Sequence, residues 1–248
     1  MVVPTYNEKD RLAELVAAVF AASEAYGLAL ELVVVDDNSP DGTGQLADRL
    51  AAQYPIRVIH RSGKLGLGTA VVAGFEVASA EAVGVMDADF SHPPSLVPVL
   101  FAAFRTIGAD VAVASRYVPG GSTPDWPLRR RLLSRTACLL ARGLSPVRDA
   151  ASGFFIIKRA IAKGTTIKAG GFKICLELIV RGDVGSLVEL PYRFNDRELG
   201  QSKMSMREAA GYLVQLRDLY LERLFGSRRP AHRYRQLSSV DVAALMRS

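Results

Sequence analysis

Two groups of acidic residues stand out: Asp36-Asp37, followed by Ser39, Asp41, Gly42 and Thr43, and Asp87-Ala88-Asp89, followed by Ser91. Two carboxylates one residue apart can converge on a hard divalent cation such as Mg2+ or Mn2+. Such a cation takes one or two protein carboxylates and completes its shell with phosphate oxygens and water. An acid-x-acid triplet alone is a weak sign, because a solvated loop or a helix cap uses the same residues. Here it follows an apolar run at 83–86 and precedes the stiff His92-Pro93-Pro94, which favours a metal-binding reading. The first group predicts hydrogen-bond acceptors for a ribose or a base N–H, with Asp41-Gly42 a turn and Thr43 a helix N-cap. Tyr6, within Pro4-Thr5-Tyr6-Asn7-Glu8, is placed to lie against a base. The cations fall in separate places: Arg116, the triplet Arg129-Arg130-Arg131, and a loop carrying Arg197, Gly200, Ser202 and Lys203. Guanidinium and ammonium groups near a helix N-terminus capture anions, whereas a charge run is often only a solvated helix face.

These residues need a scaffold that gathers them. Short β-branched runs at 2–3, 30–35, 57–60, 82–86 and 110–115 alternate with helical patterns at 12–25, 43–54, 69–80 and 94–107. Alternation of this kind predicts βαβ units and a parallel sheet, with ligands bound beyond the carboxyl ends of the strands. Asp36-Asp37, Asp87, Asp89 and Arg116 all fall at such ends. Further along, 128–143 reads as a basic amphipathic helix, 152–157 as a strand, 172–180 as a helix, and 184–191 with 192–194 as a strand and its exit. A polar loop at 195–203 then leads to a long helix at 206–225. Residues 228–248 are basic and weakly patterned, which predicts a flexible tail after a single domain of residues 1–227.

The glycine-rich stretch 63–74 fails both nucleotide motifs. Gly66-x-Gly68 would need glycine at Val71, and Gly63-x4-Gly68 is followed by Thr69 where a phosphate loop has lysine. A glycine turn feeding a helix is the favoured reading, ahead of direct phosphate cradling.

Composition narrows the chemistry. The 248 residues carry 31 Lys+Arg against 25 Asp+Glu, a net charge of +6, which suits phosphate-bearing ligands, anionic lipid or nucleic acid. Three histidines (60, 92 and 232) leave little for imidazole acid–base chemistry, so carboxylates and cations must do the work. Cys138 and Cys175 lack metal-type spacing, and neither a secretory signal nor an apolar span of about 18 residues is evident. A reducing, cytoplasmic compartment is the expectation.

The strings Pro4-Thr5-Tyr6-Asn7-Glu8, Asp36-Asp37-x-Ser39-x-Asp41-Gly42-Thr43 and Asp87-Ala88-Asp89-Phe90-Ser91-His92-Pro93-Pro94 occur in order. They are followed by Ser115-Arg116-Tyr117, Ser152-Gly153-Phe154-Phe155, Phe172-Lys173-Ile174 and Arg197-x-x-Gly200-x-Ser202-Lys203. From about residue 2 to 225 the set resembles inverting family-two glycosyltransferases, specifically dolichyl- or polyprenyl-phosphate mannose synthases. The resemblance implies an α/β GT-A fold: a Rossmann-like, mainly parallel central sheet flanked by helices, in a single domain with C-terminal amphipathic helices. It implies GDP-mannose as donor, a dolichyl or polyprenyl phosphate as acceptor, and Mg2+ or Mn2+ as cofactor. By that resemblance Pro4, Tyr6, Glu8 and Asp37 hold the guanosine, and Asp87, Asp89 and Ser91 hold the metal on the diphosphate beside Ala88. Arg116, Lys173, Arg197 and Lys203 clamp phosphates and sugar, and Arg130 with Ser134 meets the acceptor phosphate. Asp87, Asp89 and Arg116 are the expected catalytic residues.

Family members often carry C-terminal membrane helices that have no counterpart here. Contact with the cytoplasmic face of a membrane is then expected from the helices near 128–143 and 206–225, or from a membrane-anchoring partner subunit. Two other readings stay open. One keeps the acceptor and changes the donor to UDP-glucose or another sugar nucleotide; the other is a non-catalytic basic module for membranes or nucleic acid. The ordered acidic strand ends weigh against the second, and nucleic acid is not an expected partner. A processive polysaccharide synthase is disfavoured, because its Gln-x-x-Arg-Trp is absent and the only tryptophan, Trp126, follows Asp125.

Overall fold

The computed structural model describes residues 1–168, 173–195, 206–225 and 232–247. Within them, β1 (Val2–Thr5), β2 (Leu32–Asp36), β3 (Ile56–His60), β4 (Ala82–Val85), β5 (Val111–Ser115), β6 (Phe155–Lys158), β7 (Ser186–Pro191) and β8 (Arg233–Gln236) form one sheet. Their spatial order is β3-β2-β1-β4-β6-β5-β7-β8. Strand β6 runs antiparallel to both β4 and β5, and every other neighbouring pair is parallel. The carboxyl ends of β1, β2, β4 and β5 therefore share one edge, together with the amino end of β6.

The strands are buried on both faces, as continuous β-branched runs require. Val2, Val33, Val35, Val85 and Val113 pack beneath α3 (Leu67–Val77), α6 (Arg159–Gly164) and α7 (Ile174–Arg181). Their sequence neighbours Val3, Leu32, Val34, Ala112 and Ala114 point the other way, beneath α1 (Lys9–Ala25), α2 (Thr43–Ala51) and α4 (Leu96–Ile107). A smaller cluster joins Leu144, Leu176, Tyr212, Leu216 and Leu219, docking α8 (Met206–Phe225) on α7.

Strand β1 is short, yet it is central. Proline inside such a strand usually removes a ladder bond. Here the odd positions face β2, with Met1 O accepting from Val33 N at 2.8 Å and Thr5 O from Asp37 N at 3.1 Å. Pro4 faces β4, where pairing ends after Val2↔Val85 and the Met86 N–H to Val2 O bond at 3.1 Å. Its missing N–H is thus not needed, and the chain diverges from β4 as it enters the site.

The flexible tail expected after residue 227 is corrected: the single domain extends into it. Residues 233–236 form edge strand β8, parallel to β7, and α9 (Ser239–Leu245) follows it under a Ser238/Asp241 capping box. Val242 and Leu245 pack on the core beside α4. A Cβ on Gly120, which holds φ +95°, would fall on the Ser239 hydroxyl, so α9 touches the loop that follows β5. The basic composition of this tail hid a strand whose pairing partner lies 47 residues away in sequence, Ser186 opposite Arg233. Helix α6 also went unread, and α5 (Leu128–Leu140) ends before residue 143.

Candidate active site

Three loops at the carboxyl edge contain the described non-glycine residues with positive φ: Asn7 (+59°), Asn38 (+57°) and Phe90 (+61°). Left-handed backbone at a bulky residue such as Phe90 is held only where surrounding structure fixes it. The first two loops are stitched together. Asn7 N donates to Ser39 Oγ at 3.0 Å, Glu8 N to Thr43 Oγ1 at 3.0 Å, and Lys9 N to Asp41 at 3.2 Å. Asp36 is buried and structural, accepting from Ser39 N (3.0 Å), Ser39 Oγ (2.5 Å) and Thr5 Oγ1 (3.3 Å). Thr43 is not the N-cap predicted from sequence. Gly42, with φ +91°, takes that position, and the Thr43 hydroxyl bonds to Asp41 at 2.6 Å instead.

Asp37 lies next to this stitched pair and forms a buried ion pair with Arg61, 2.6 Å from Oδ1 to Nη1, both side chains below 10% exposed (8% and 9%). Arg61 also donates to Gly66 O (3.2 Å) and Thr69 Oγ1 (2.5 Å), and Gly66 N reaches Asp37 at 3.4 Å. The glycine-rich stretch is therefore a turn feeding α3, and Gly66 at φ +100° brings its N–H to the Asp37 carboxylate. Tyr6 is 36% exposed, with Lys64 Nζ 4.0 Å above its ring. Pro4 and Glu8, on either side of Tyr6 in the chain, are both partly buried.

At the end of β4, Asp87 turns partly to solvent while Ala88, Asp89, Ser91 and His92 are buried. Asp87 N donates to His92 Nδ1 at 2.9 Å, so the imidazole proton sits on Nε2, 3.8 Å from the Asp87 carboxylate. His92 is stacked on Phe154 at 4.9 Å, and burial holds its pKa below the ordinary histidine value against the opposing pull of Asp87 and Asp89. It is thus a neutral support for Asp87. Asp89 accepts from Ser91 N at 3.0 Å, and Arg11 on α1 donates to the Asp89 carbonyl at 3.1 Å.

Whether this loop suits a divalent cation is decided by its donors. Asp87, Asp89 and Ser91 carry hard oxygen donors, and the buried Ser91 Oγ has no hydrogen-bond partner of its own. No group of three or more His, Cys, Asp or Glu stands together among the described residues. Two carboxylates and a hydroxyl fit an ion that draws its remaining ligands from phosphate and water.

At the end of β5, Arg116 is gripped by Asp149, a residue that sequence reasoning missed. Arg116 N and Nε donate to Asp149 Oδ2 at 2.9 and 2.7 Å, and Nη2 to Oδ1 at 2.7 Å. Burial opposes the guanidinium charge, but Asp149 outweighs it and holds the Arg116 pKa well above its ordinary value. The guanidinium also lies over Trp126 (5.2 Å) and Phe194 (5.6 Å). Lys173 is within electrostatic reach of Arg116, Asp149 and Asp87; burial first, then Arg116, lowers its pKa. Gln215 on α8 fixes its backbone, accepting from Lys173 N at 3.1 Å. Arg130 stacks on Trp126 at 4.0 Å, and the Ser134 hydroxyl accepts from Tyr117 OH at 2.6 Å. A cavity of about 190 Å³ opens here between α5 and the loop after β5, lined by Arg116, Tyr117, Ser122, Thr123, Arg131 and Arg135.

The edge thus gathers Tyr6, Glu8, Asp37, Asp87, Asp89, Arg116 and Lys173. Arg197, Gly200, Ser202 and Lys203 lie outside the described residues. Arg61 was legible in principle, since it follows β3 as Asp37 follows β2. Asp149 had no such signal; it lies in a loop three residues before Ser152.

The same architecture occurs in the crystal structure of glucosyl-3-phosphoglycerate synthase from Mycobacterium tuberculosis in complex with Mn2+, UDP and glucosyl-3-phosphoglycerate. The TM-score is 0.64 at 20% identity, covering 90% of this chain and 78% of that one. The fold is GT-A. Residues 1–177 match glycosyl transferase family 2, and the chain belongs to that family. It is 40% identical over 217 residues to a dolichol-phosphate mannosyltransferase of Pyrococcus furiosus, covering 86% of this chain and 61% of that relative's length. A polyprenol monophosphomannose synthase of Mycolicibacterium smegmatis is 41% identical over 224 residues, with 84% and 83% covered.

Proposed function

We propose that this chain transfers mannose from GDP-mannose to a dolichyl or polyprenyl monophosphate, with inversion at the anomeric carbon. The observation that carries the reading is a juxtaposition. An acidic pair at the end of β4 shares one sheet edge with an arginine-lined cavity, and that cavity opens under a helix that turns leucines to the outside. The names of the relatives supply the sugar and the acceptor class.

In this reading Pro4, Tyr6, Glu8 and Asp37 receive the guanosine, with Arg61 holding the Asp37 carboxylate in place at 2.6 Å. Asp87 and Asp89, with Ser91, would hold Mg2+ or Mn2+ beside Ala88, where the ion would supply charge neutralisation for the diphosphate leaving group. Arg116, Lys173, Arg197 and Lys203 neutralise phosphates and orient the sugar. Arg130 and Ser134 meet the acceptor phosphate; the Ser134 hydroxyl, already accepting from Tyr117, keeps its own proton for a phosphate oxygen.

The acceptor monoester has a second pKa near about 6, so its oxygen is anionic at neutral pH. That oxygen bonds to the anomeric carbon as the carbon–oxygen bond to the diphosphate breaks. No general base is required, only alignment and charge neutralisation. The neutral, buried His92 agrees with this.

Helix α5 supports attachment to the cytoplasmic face of a membrane. Cys138 is its one buried residue, whereas Leu128 and Leu139 are 67% and 70% exposed. On α8, Leu224 and Phe225 are exposed as well. No helix among the described residues is long and apolar enough to cross a membrane. In this reading contact is made by these two helices or by a membrane-anchoring subunit.

The test incubates purified protein with radiolabelled GDP-mannose, polyprenyl phosphate and Mn2+. Label entering the organic phase, and blocked by chelation, supports the reading. Label entering from UDP-glucose but not from GDP-mannose overturns the donor, and no transfer from either overturns the reaction.

A further inference from the structure

We propose that Glu189 and Tyr234 position Arg116 through Asp149, which makes the C-terminal strand β8 part of the catalytic apparatus; this rests on the transfer reaction proposed above. Glu189, on β7, is fully buried. Its Oε1 accepts from Asp149 N at 2.9 Å, and its Oε2 accepts from Arg148 N at 2.9 Å and from the Tyr234 hydroxyl of β8. The Ser115 hydroxyl, one residue before Arg116, bonds to it as well, while burial pushes its carboxyl up. A carboxylate so deep in the protein carries a large desolvation cost unless its oxygens are satisfied. Here they are satisfied largely by the backbone of 148–149. That fixes where the Asp149 carboxylate points, and Asp149 in turn holds three nitrogens of Arg116 at 2.7–2.9 Å.

The chain of contacts runs from the edge strand, through Glu189 and Asp149, to the guanidinium that lines the 190 Å³ cavity. Glu189 and Tyr234 touch neither the cavity nor the acidic pair. They act through Asp149, and so they are positioning residues. Gln236, which donates to Tyr234 OH at 2.7 Å, holds the phenol in place from the same strand.

Two conservative variants separate positioning from plain packing. Tyr234→Phe removes one hydroxyl from a half-buried ring. Glu189→Gln keeps the shape but must turn an amide NH2 toward one of two backbone N–H donors. The only tryptophan, Trp126, lies 5.2 Å from the Arg116 guanidinium carbon, so its emission and its quenching by acrylamide report displacement of Arg116 without any turnover. The expected result is an unchanged far-UV circular dichroism spectrum, an altered Trp126 emission, and a kcat lowered about 5- to 30-fold with donor KM within about twofold. Val240→Ser, exposed on α9, should leave all three unchanged.

Wild-type kcat per folded molecule in both variants overturns the inference, whatever happens to the melting temperature. If the wild-type protein transfers no mannose, the reaction proposed above falls. The Trp126 signal then still decides: altered emission in folded Tyr234→Phe sustains the positioning link, and unaltered emission in both variants removes it.

Discussion

At the scale of single residues, the site is built from paired charges as much as from ligands. Asp37 and Arg61 are both nearly inaccessible, so removing one strands the other. Arg61→Ala should destabilise the fold by about 2–4 kcal/mol and weaken GDP binding at least tenfold. Urea denaturation and calorimetric titration with GDP check the two effects, and an unchanged GDP affinity would detach Asp37 from the nucleotide. Asp149→Asn should lower transfer about 100-fold or more, because the amide cannot serve as a charged bidentate acceptor for Arg116. Steady-state kinetics on the folded variant read that loss. The sequence made part of this legible. Asp87 and Asp89 announce themselves because their chemistry is contained within three consecutive residues. Asp149, Glu189 and Arg61 do not, since each acquires its role from a partner 24 to 40 residues distant.

At the scale of elements, the strand–helix alternation exposed the edge where the acidic and basic residues gather, and β1, β2, β4 and β5 appear where β-branched runs predicted them. The short β1 was readable only as a weak strand, because two valines before a proline carry little periodic signal; its central place comes from pairing. β8 was unreadable for a related reason: its Arg-Tyr-Arg-Gln sequence suits an exposed edge, where one face need not be apolar. Asp110 shows how such pairing is fixed. Its carboxylate accepts from Gly185 N (2.8 Å) and Ser186 N (2.9 Å) and pairs with Lys158 (2.6 Å), tying the start of β5 to β6 and β7. Burial raises its pKa, but these partners outweigh burial and leave it below the ordinary aspartate value. The stabilisation is therefore present above the unfolded pKa of 3.8 and is lost as pH falls through the lower folded value. Asp110→Asn should cost about 1–2 kcal/mol at pH 7, with the gap to wild type closing as pH falls through the lowered folded value. Denaturation midpoints at several pH values check this, and a pH-independent gap would contradict it.

At the scale of the molecule, the net charge of +6 and the leucines of α5 point the same way. Arg131 and Arg135 of that helix line the cavity, while Leu132, Leu133, Leu139 and Leu140 are exposed. Burying such side chains in lipid is worth about 1.5–3 kcal/mol each. Replacing Leu132 and Leu139 with Glu should reduce co-sedimentation with anionic vesicles at least tenfold, while transfer to a short, water-soluble prenyl phosphate stays near wild type. Equal loss of both activities would move these residues from the membrane into the fold. The central claim concerns the acidic pair at the end of β4, and its most direct measurement is mannose transfer by the Asp87→Ala/Asp89→Ala double variant across a Mn2+ titration. The predicted result is a folded protein whose transfer is about 10³-fold slower and no longer rises with metal. Wild-type turnover with an unaltered metal dependence would contradict the account.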